Sequence, residues 1–268
     1  MHLLILGLGY SAARIADAAQ AAGFAITAVR SRPGPGVITL DDPALPGLIG
    51  SVSHILSSVP PAADGSDPVL VRHGAALAAS PARWLGYLSS TGVYGDAGGA
   101  WVDEATPLAG RRDGRMAADQ AWAALHPQMR VFRLPGIYGP GRSAIDRLRA
   151  GPVARIDLPG HVFSRIHVDD IAGAVMASMA GGPPGLYNIA DDEPAPGEAV
   201  TAKAARLLGV PVPPLVPLDQ AALSPMGRAF YGECRRVANG RMKRQLGYSL
   251  KYPDYRAGLA ACLLESLP

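Results

Sequence analysis

The chain has 268 residues, of which 49% are hydrophobic and 18% charged, so it can bury a full core and is not a disordered protein. The formal net charge of +3 is small and no long run of basic residues occurs, which argues against nucleic acid as a partner. Two cysteines are too few for a disulfide framework or a four-cysteine zinc site, so we expect a reducing, cytoplasmic location and no metal centre.

The N-terminal segment predicts a strand, a glycine turn, a helix and a second strand. Residues 3–8 form an apolar run that is too short to cross a membrane and has no basic segment before it, so we expect a buried strand and no membrane association. Small and apolar residues then recur at helical spacing, namely Ala12, Ile15, Ala16 and Ala19. Gly23 is placed to end this helix, and residues 25–29 predict the second strand.

The same alternation of strands and helices continues to about residue 136. Strands are predicted in residues 53–61, 83–90 and 129–136, and helices in residues 67–80 and 115–125. The strands are apolar runs with little alternation of polar and apolar residues. This pattern is typical of a parallel sheet that is covered by helices on both faces.

A glycine-rich turn lies between the first strand and the first helix. Residues 7–12, Gly-Leu-Gly-Tyr-Ser-Ala, match the pattern G-x-G-x-x-G/A, with Ala12 in the third position. Gly7 permits a sharp turn, Gly9 lets the backbone approach a pyrophosphate, and the helix N-terminus offers N–H groups to the phosphates. Its position directly between a strand and a helix favours a dinucleotide-binding site over a structural turn without a ligand.

The end of the second strand indicates which dinucleotide is bound. An acidic residue there usually accepts a hydrogen bond from the ribose of NAD, whereas the 2′-phosphate of NADP requires arginine instead. Arg30, Ser31 and Arg32 stand at this position, and no acidic residue occurs between Phe24 and Leu40. We therefore predict NADP rather than NAD, the alternative being two solvated surface arginines.

These elements predict an α/β protein with a Rossmann-type, doubly wound parallel sheet. The dinucleotide-binding domain is assigned to residues 1–138 plus about 166–190, with a last strand near residues 186–189. Prolines and glycines crowd the chain between residues 181 and 217. We expect about residues 139–165 and 191–268 to form a small substrate-binding lobe over the strand ends.

Four stretches carry a family resemblance. They are YLSSTGVYGDAGG from residue 87, FRLPGIYGPGR from 132, SRIHVDDIAGAV from 164 and GLYNIADDEP from 185. In this order they resemble the extended short-chain dehydrogenase/reductase superfamily, the group of nucleotide-sugar epimerases and dehydratases. The resemblance covers nearly the whole chain.

The resemblance implies roles for particular residues. Ser90 corresponds to the catalytic serine, and Thr91 would help it to polarise a substrate oxygen. Arg142 and His167 are predicted substrate contacts, and His167 is interpreted as a hydrogen-bonded scaffold residue rather than as an acid/base. Asp169 and Asp170 are expected to cap and turn a helix rather than to act as catalytic carboxylates. The predicted cofactor contacts are Gly7, Gly9, Tyr10, Ser11, Ala12, Arg30, Ser31, Arg32, Ser58, Val59, Pro60, Arg115, Pro135 and Ile137.

The chain departs from the family at its acid/base pair. Family members carry a tyrosine four residues ahead of a lysine, and the alignment puts Arg111 and Arg115 at these places. Arg115 can keep the positive charge and a contact to the nicotinamide ribose, but Arg111 cannot exchange a proton near neutral pH. Because no tyrosine occurs between Tyr94 and Tyr138, a shifted register does not restore the pair. One of these two tyrosines could substitute, and we place Tyr94 among the catalytic candidates.

A fourth family residue, an asparagine, is also missing. Its position aligns near Val71, and Asp67 is the nearby polar candidate. Two functions therefore stay open. The first is an NADP-dependent oxidoreductase or epimerase that acts on a small or nucleotide-linked carbonyl or alcohol, and the second is a non-catalytic NADP-binding sensor. Either would work as a monomer or a homodimer with a small-molecule substrate or ligand.

Overall fold

A computed structural model describes residues 1–32, 37–223 and 225–265 of the chain. The strands in chain order are β1 (His2–Leu6), β2 (Ala25–Val29), β3 (His54–Ser57), β4 (Trp84–Ser90), β5 (Trp101–Val102), β6 (Met129–Leu134), β7 (Gly136–Tyr138), β8 (Arg155–Asp157), β9 (Arg165–His167), β10 (Gly185–Asn188), β11 (Leu215–Pro217) and β12 (Arg236–Val237). The helices are α1 (Tyr10–Ala21), α2 (Leu45–Ile49), α3 (Pro68–Ala78), α4 (Asp113–Leu125), α5 (Ala144–Ala150), α6 (Val168–Ala180), α7 (Gly197–Leu208), α8 (Pro225–Phe230), α9 (Gly240–Leu246) and α10 (Tyr255–Glu265).

Six parallel strands form the central sheet in the order β10-β6-β4-β3-β1-β2. The chain first moves outward from β1 to β2 and then crosses to β3 on the other side of β1, which is the strand order of a doubly wound sheet. One face packs on α1, α6 and α9, and the other on α2, α3 and α4. The structure therefore confirms the predicted Rossmann-type α/β fold.

Local sequence explains where several elements begin and end. Strand β1 ends at Leu6, before the end predicted at residue 8, because Gly7 has φ +87° and turns the backbone. Gly23, with φ +83°, follows α1 as predicted. Asp67 caps α3 by accepting hydrogen bonds from the backbone N–H groups of the next turn, and its second oxygen accepts from Trp122 Nε1 at 2.7 Å. Asp67 is thus a structural link between α3 and α4.

The C-terminal half of the chain builds a second, smaller core and also contributes to the first one. Helices α5, α7 and α10 pack together around Ile145, Val200 and Leu259. Helix α9 lies within the segment predicted to form the lobe, but Met242 and Leu246 are buried in the core of the main sheet. The lobe is therefore interwoven with the sheet domain.

Three two-stranded pairs connect distant parts of the chain. Strand β5 pairs with β12, β7 with β9, and β8 with β11. The β5–β12 pair brings the segment before α9 to the carboxyl-terminal edge of the sheet. Within the described residues, no helix is both long and apolar enough to cross a lipid bilayer.

Candidate active site

A cavity of about 790 Å³ lies where β1, β3, β4 and β6 end. Ligands of doubly wound sheets bind at this edge, beside the point where the strand order reverses. The cavity extends from the glycine turn, past the end of β4, to the segment that follows α8. It therefore joins the predicted cofactor site to the lobe.

The glycine turn forms one end of the cavity. The lining residues at this end are Gly9, Tyr10, Ser11, Ala12, Ser58 and Pro60. A Cβ added at Gly9 would have no atom within 4 Å, so the backbone is open to a close ligand there. A Cβ at Gly7 would lie 2.8 Å from Val59 Cγ2, and Ser58 Oγ donates to Gly7 O at 2.6 Å. Gly7 and Val59 do not line the cavity, and their close approach instead supports the conformation of the turn.

Arg142 lies against the glycine turn. Its guanidinium carbon is 5.7 Å from the centre of the Tyr10 ring, and the Tyr10 hydroxyl donates to Pro140 O at 3.0 Å. Burial raises the pKa of Tyr10 to about 12, so its phenol is poorly matched to proton exchange near neutral pH. Sequence comparison predicts Arg142 as a substrate contact, but the structure places it beside the end where cofactor phosphates are expected.

Arg30, Ser31 and Arg32 follow β2 and are all exposed. They do not line the cavity itself. The backbone N–H of Gly7 donates to Val29 O at 3.1 Å, so the end of β2 is directly next to the glycine turn. The three residues therefore begin at the rim of the cavity, directly beyond the turn.

The centre of the cavity contains the serine predicted from the family motif. Ser90 is half-buried at the end of β4, and its Oγ accepts a hydrogen bond from Gly92 N at 3.1 Å. This bond uses a lone pair and leaves the hydroxyl proton available for a ligand. Thr91, Arg115, Pro135 and Ile137 also line this part, so the structure brings these predicted residues together.

Tyr94 is not in the cavity. Its hydroxyl donates to Asn188 Oδ1 at 2.8 Å and accepts from Arg133 at 3.0 Å, in a buried polar network. Arg133 also pairs with Asp119, which accepts from Ser89 Oγ at 2.6 Å. Because burial raises the pKa of Tyr94 and its hydroxyl faces the protein interior, the structure gives it no path to a substrate. We therefore leave Tyr94 out of the catalytic group.

Tyr138 and His167 are also turned away from the cavity. The two rings pack edge to face, with centroids 5.2 Å apart. His167 has no exposed surface, its Nδ1 accepts from Asp169 N at 3.2 Å, and burial lowers its pKa. The prediction that an aspartate caps α6 is wrong, because the His167 side chain supplies the cap. This position fits the interpretation of His167 as a scaffold residue.

Asp170 is also structural. It is completely buried and accepts hydrogen bonds from the Tyr248 hydroxyl and from the backbone of Lys251 and Tyr252, at 2.6–3.1 Å. Its carboxylate therefore ties the start of α6 to the segment that precedes α10.

The other end of the cavity was not predicted. We call it the distal end, and it is formed by Arg111, Phe163, Phe230, Glu233 and Arg235. Glu233 Oε1 accepts from Arg111 Nε at 2.8 Å, and Glu233 Oε2 accepts from Arg235 Nη1 at 2.6 Å. Partial burial raises the pKa of Glu233, but the hydrogen bonds from the two arginines outweigh this effect, so the net shift is downward. Glu233 is therefore a carboxylate and not a general acid near neutral pH.

Arg111 is the residue aligned with the family's tyrosine, and its pairing with Glu233 gives it a role that a tyrosine does not have. Arg112 and Arg115 also line the cavity. No short sequence motif identifies the distal end, because Arg111 and Glu233 are 122 residues apart in the chain.

Comparisons with known proteins agree with this architecture. The sequence matches no family model. A solved protein of Silicibacter pomeroyi, described as conserved and functionally unknown, is 46% identical, with a TM-score of 0.87 and 98% of both chains covered. A Methylobacillus flagellatus protein classed as a NAD-dependent epimerase/dehydratase is 26% identical, with a TM-score of 0.71 and 98% of both chains covered.

Two further neighbours carry names that refer to nicotinamide chemistry or reduction. The human epimerase family protein SDR39U1, solved with NADPH, shares the fold with a TM-score of 0.77 and 22% identity over 100% of both chains. The 3-diazoavenalumate denitrifying reductase of a Streptomyces species is 34% identical over 140 residues, which are 48% of this chain and 45% of that protein. The match thus spans less than half the length of this relative.

The parallel sheet, the glycine turn at its switch point and the full-length neighbours agree with the family motifs in the sequence. The chain is thus similar over its full length to a NAD-dependent epimerase/dehydratase-type protein, and it shares the Rossmann-type fold of such proteins in the short-chain dehydrogenase/reductase superfamily.

Proposed function

We propose that this protein is an NADP(H)-dependent reductase that transfers a hydride to a small substrate. The observation that carries the proposal is the continuous cavity, which has the open glycine turn at one end and the Ser90 hydroxyl at its centre. The turn fits a dinucleotide because Gly9 leaves room for a pyrophosphate next to the N-terminus of α1. When bound, the cofactor supplies the hydride.

We further propose a preference for NADP over NAD. Arg30 and Arg32 are exposed beside the turn, where two guanidinium groups can pair with a 2′-phosphate. Arg142 packs on Tyr10 and can contribute a positive charge to the pyrophosphate. The human neighbour solved with NADPH is consistent with this choice.

The residues of this chain would orient and polarise the substrate. The Ser90 hydroxyl donates to a substrate oxygen while its lone pair stays bound to Gly92 N. Arg115 supplies a fixed positive charge close by, in the place of the family's lysine. Prearranged donors of this kind stabilise the negative charge that develops on the oxygen. Solvent supplies the proton, because Tyr94 is buried elsewhere and Glu233 is ionised.

The missing tyrosine favours acceptors that need no strong acid. Reduction of an ordinary ketone leaves an alkoxide that must be protonated, and the loss of a general acid lowers the rate by a factor of about 10²–10⁴. A diazonium group is different, since hydride adds to the carbon and N₂ leaves with the bonding electrons, so no alkoxide forms. The partial match to a reductase of a diazo compound makes this acceptor class worth testing.

The test is NADPH oxidation with a panel of aldehydes, ketones, quinones and aryl diazonium salts. We expect turnover with at least one class, and Ser90→Ala should lower kcat/KM for an oxygen-containing acceptor by about 10²-fold, the scale for one lost donor to a developing oxyanion. Tyr94→Phe is the matched control. It removes a hydroxyl that points away from the cavity and should leave kcat/KM unchanged.

Two outcomes would contradict the proposal. Tight NADPH binding without oxidation by any member of the panel would support the non-catalytic sensor instead. A large loss of activity in Tyr94→Phe would mean that the proton comes from this tyrosine.

We also propose a cytoplasmic location, which agrees with the free thiols of Cys234 and Cys262. That the protein works as a monomer or a homodimer stays a prediction.

A further inference from the structure

The charged side chains that line the cavity are nearly all basic. Among the described lining residues there are five arginines and a single glutamate. Arg142 lies against the glycine turn and Arg115 near the centre, so both can serve the cofactor. Arg111, Arg112 and Arg235 lie at or next to the distal end, away from the glycine turn where the phosphates of a dinucleotide would bind. This excess of positive charge indicates that the substrate is an anion.

Two of these arginines are already arranged around one carboxylate. Arg111, in the loop before α4, and Arg235, in the segment before β12, contact different oxygens of Glu233, at 2.8 and 2.6 Å. The Arg235 guanidinium also donates to Gly95 O, which fixes it at the edge of the sheet. A guanidinium recognises the planar geometry of a carboxylate well. The spacing of these two groups is therefore suited to a carboxylate of the substrate.

Two aromatic side chains also line the cavity. The rings of Phe163 and Phe230 are stacked, with centroids 4.1 Å apart and planes tilted by 13°. Phe163 is held in place by Tyr231, which packs edge to face at 5.4 Å, whereas Phe230 is 54% exposed. Large exposed apolar side chains in a cavity mark ligand contacts, and stacked rings favour flat ligands.

The volume of the cavity limits the size of the substrate. About 790 Å³ lies within the usual range of about 300–1,000 Å³ for a site that holds one drug-sized ligand. A dinucleotide cofactor occupies much of this space. The remainder suits a small molecule better than a second nucleotide.

We propose that the distal end binds a small, flat, conjugated carboxylate, whose carboxyl group exchanges with Glu233 between Arg111 and Arg235 and whose ring or conjugated chain packs on Phe230. This deepens the proposed function, since it names the substrate class of the same cavity. Glu233 acts as a built-in competitor. Its carboxylate keeps the two guanidinium groups paired, and only an anion of suitable shape can replace it.

The test is calorimetric titration of the protein loaded with NADP⁺, repeated without NADP⁺. The probes are trans-cinnamate, which is flat and anionic, cinnamamide, which is flat and neutral, and cyclohexanecarboxylate, which is anionic but not flat. We expect cinnamate to bind at least about tenfold more tightly than either of the others, because it uses both the arginines and the aromatic surface.

Single-residue variants separate the contribution of the arginines from that of the aromatic side chains. Arg235→Gln should weaken cinnamate about tenfold and leave cinnamamide unchanged, whereas Arg206→Gln, the same charge change on the exposed face of α7, should alter neither. Glu233→Gln should tighten cinnamate binding, because the competing carboxylate is gone. Such a gain cannot result from misfolding. Phe230→Ala should reduce the preference for cinnamate over cyclohexanecarboxylate.

The proposal is overturned if cinnamate and cinnamamide bind equally, if neither binds, if Arg235→Gln matches Arg206→Gln, or if Glu233→Gln weakens cinnamate. These titrations require no turnover. Arg235-dependent binding in a protein that oxidises no NADPH would therefore reject the reductase function alone. Conversely, NADPH oxidation without selective binding of cinnamate would reject only the carboxylate proposal.

Discussion

The two ends of the cavity recognise ligands in different ways. The glycine-turn end is made mainly from the consecutive residues 9–12 at the start of α1, and it offers backbone N–H groups and open space at Gly9. The distal end is made from side chains that are far apart in the sequence, with Glu233 between Arg111 and Arg235. Backbone geometry suits a ligand common to a whole family, whereas a set of distant side chains can be specific for one substrate.

The largest effect is expected at the glycine turn. Gly9→Val should weaken NADPH binding by about 100-fold or more, equivalent to about 2.7 kcal/mol, because the side chain fills the space for the pyrophosphate. The melting temperature should stay nearly unchanged, since a Cβ at Gly9 meets no atom within 4 Å. Calorimetric titration and thermal unfolding measure the two quantities.

Gly7→Ala is the control for this experiment. Gly7 has φ +87° and its added Cβ would lie 2.8 Å from Val59, so this variant should lose stability. If Gly9→Val binds NADPH like the parent protein, the glycine turn has only a structural role, and the contrast between the two ends disappears.

A smaller effect is expected at the rim beyond the turn. Arg30→Ala or Arg32→Ala should weaken NADPH binding by about 1.5–3 kcal/mol, the scale of a hydrogen bond to a charged group, and should leave NADH binding nearly unchanged. Titration of both cofactors against each variant measures the difference. Equal affinity of the parent protein for NADPH and NADH would refute this assignment.

The smallest expected effect is on the pH dependence of stability, and it comes from the buried carboxyl group of Asp191. Asp191 is buried close to Arg165, whose guanidinium carbon lies 5.8 Å from the centre of the Phe163 ring. Burial raises the pKa of Asp191 to about 8, although Arg165 and a backbone amide lower it in part. Between the unfolded pKa of about 4 and the folded value, the native state therefore holds a proton that the unfolded state has lost. Stability should fall as the pH rises through this range.

Asp191→Asn removes this dependence. From pH 6.5 to pH 8, the free energy of unfolding of the variant should gain about 1.6 kcal/mol relative to the parent, because the slope is about 1.4 kcal/mol per pH unit well below the folded pKa and falls to about half of this at the pKa itself. Denaturant unfolding at several pH values measures the difference, and exposed Asp157→Asn should show no such trend. Parallel pH profiles for Asp191→Asn and the parent would show that Asp191 is ionised in the native protein.

The features that could be predicted from the sequence are those decided within a short stretch. Strand β2 was predicted at residues 25–29 and is observed at Ala25–Val29, and the helix end at Gly23 was also correct. In both cases neighbouring residues determine the backbone conformation. The parallel sheet could also be predicted, because its buried strands are apolar on both faces.

The features that could not be predicted depend on where a side chain points or on contacts between distant residues. Tyr94 lies in a matched motif close to Ser90, but its hydroxyl turns inward to Arg133 and Asn188. Arg142 is predicted to contact the substrate, and its guanidinium group lies over the Tyr10 ring beside the glycine turn, a contact that no local pattern indicates. The pairing of Arg111 with Glu233 had no local signal, because the charge of each residue alone is compatible with an ordinary solvated surface.

The pairing of β5 with β12 has a consequence for synthesis of the protein. Arg236 and Val237 complete this pair with Trp101 and Val102, and the same segment carries Glu233 and Arg235. On the ribosome, the strand containing Trp101 emerges long before its partner, so the wall of the distal end forms only after most of the chain has been translated. Until then the rim of the sheet beside β4 is left uncovered, and a nascent chain that stalls before residue 236 would expose it to chaperones and proteases.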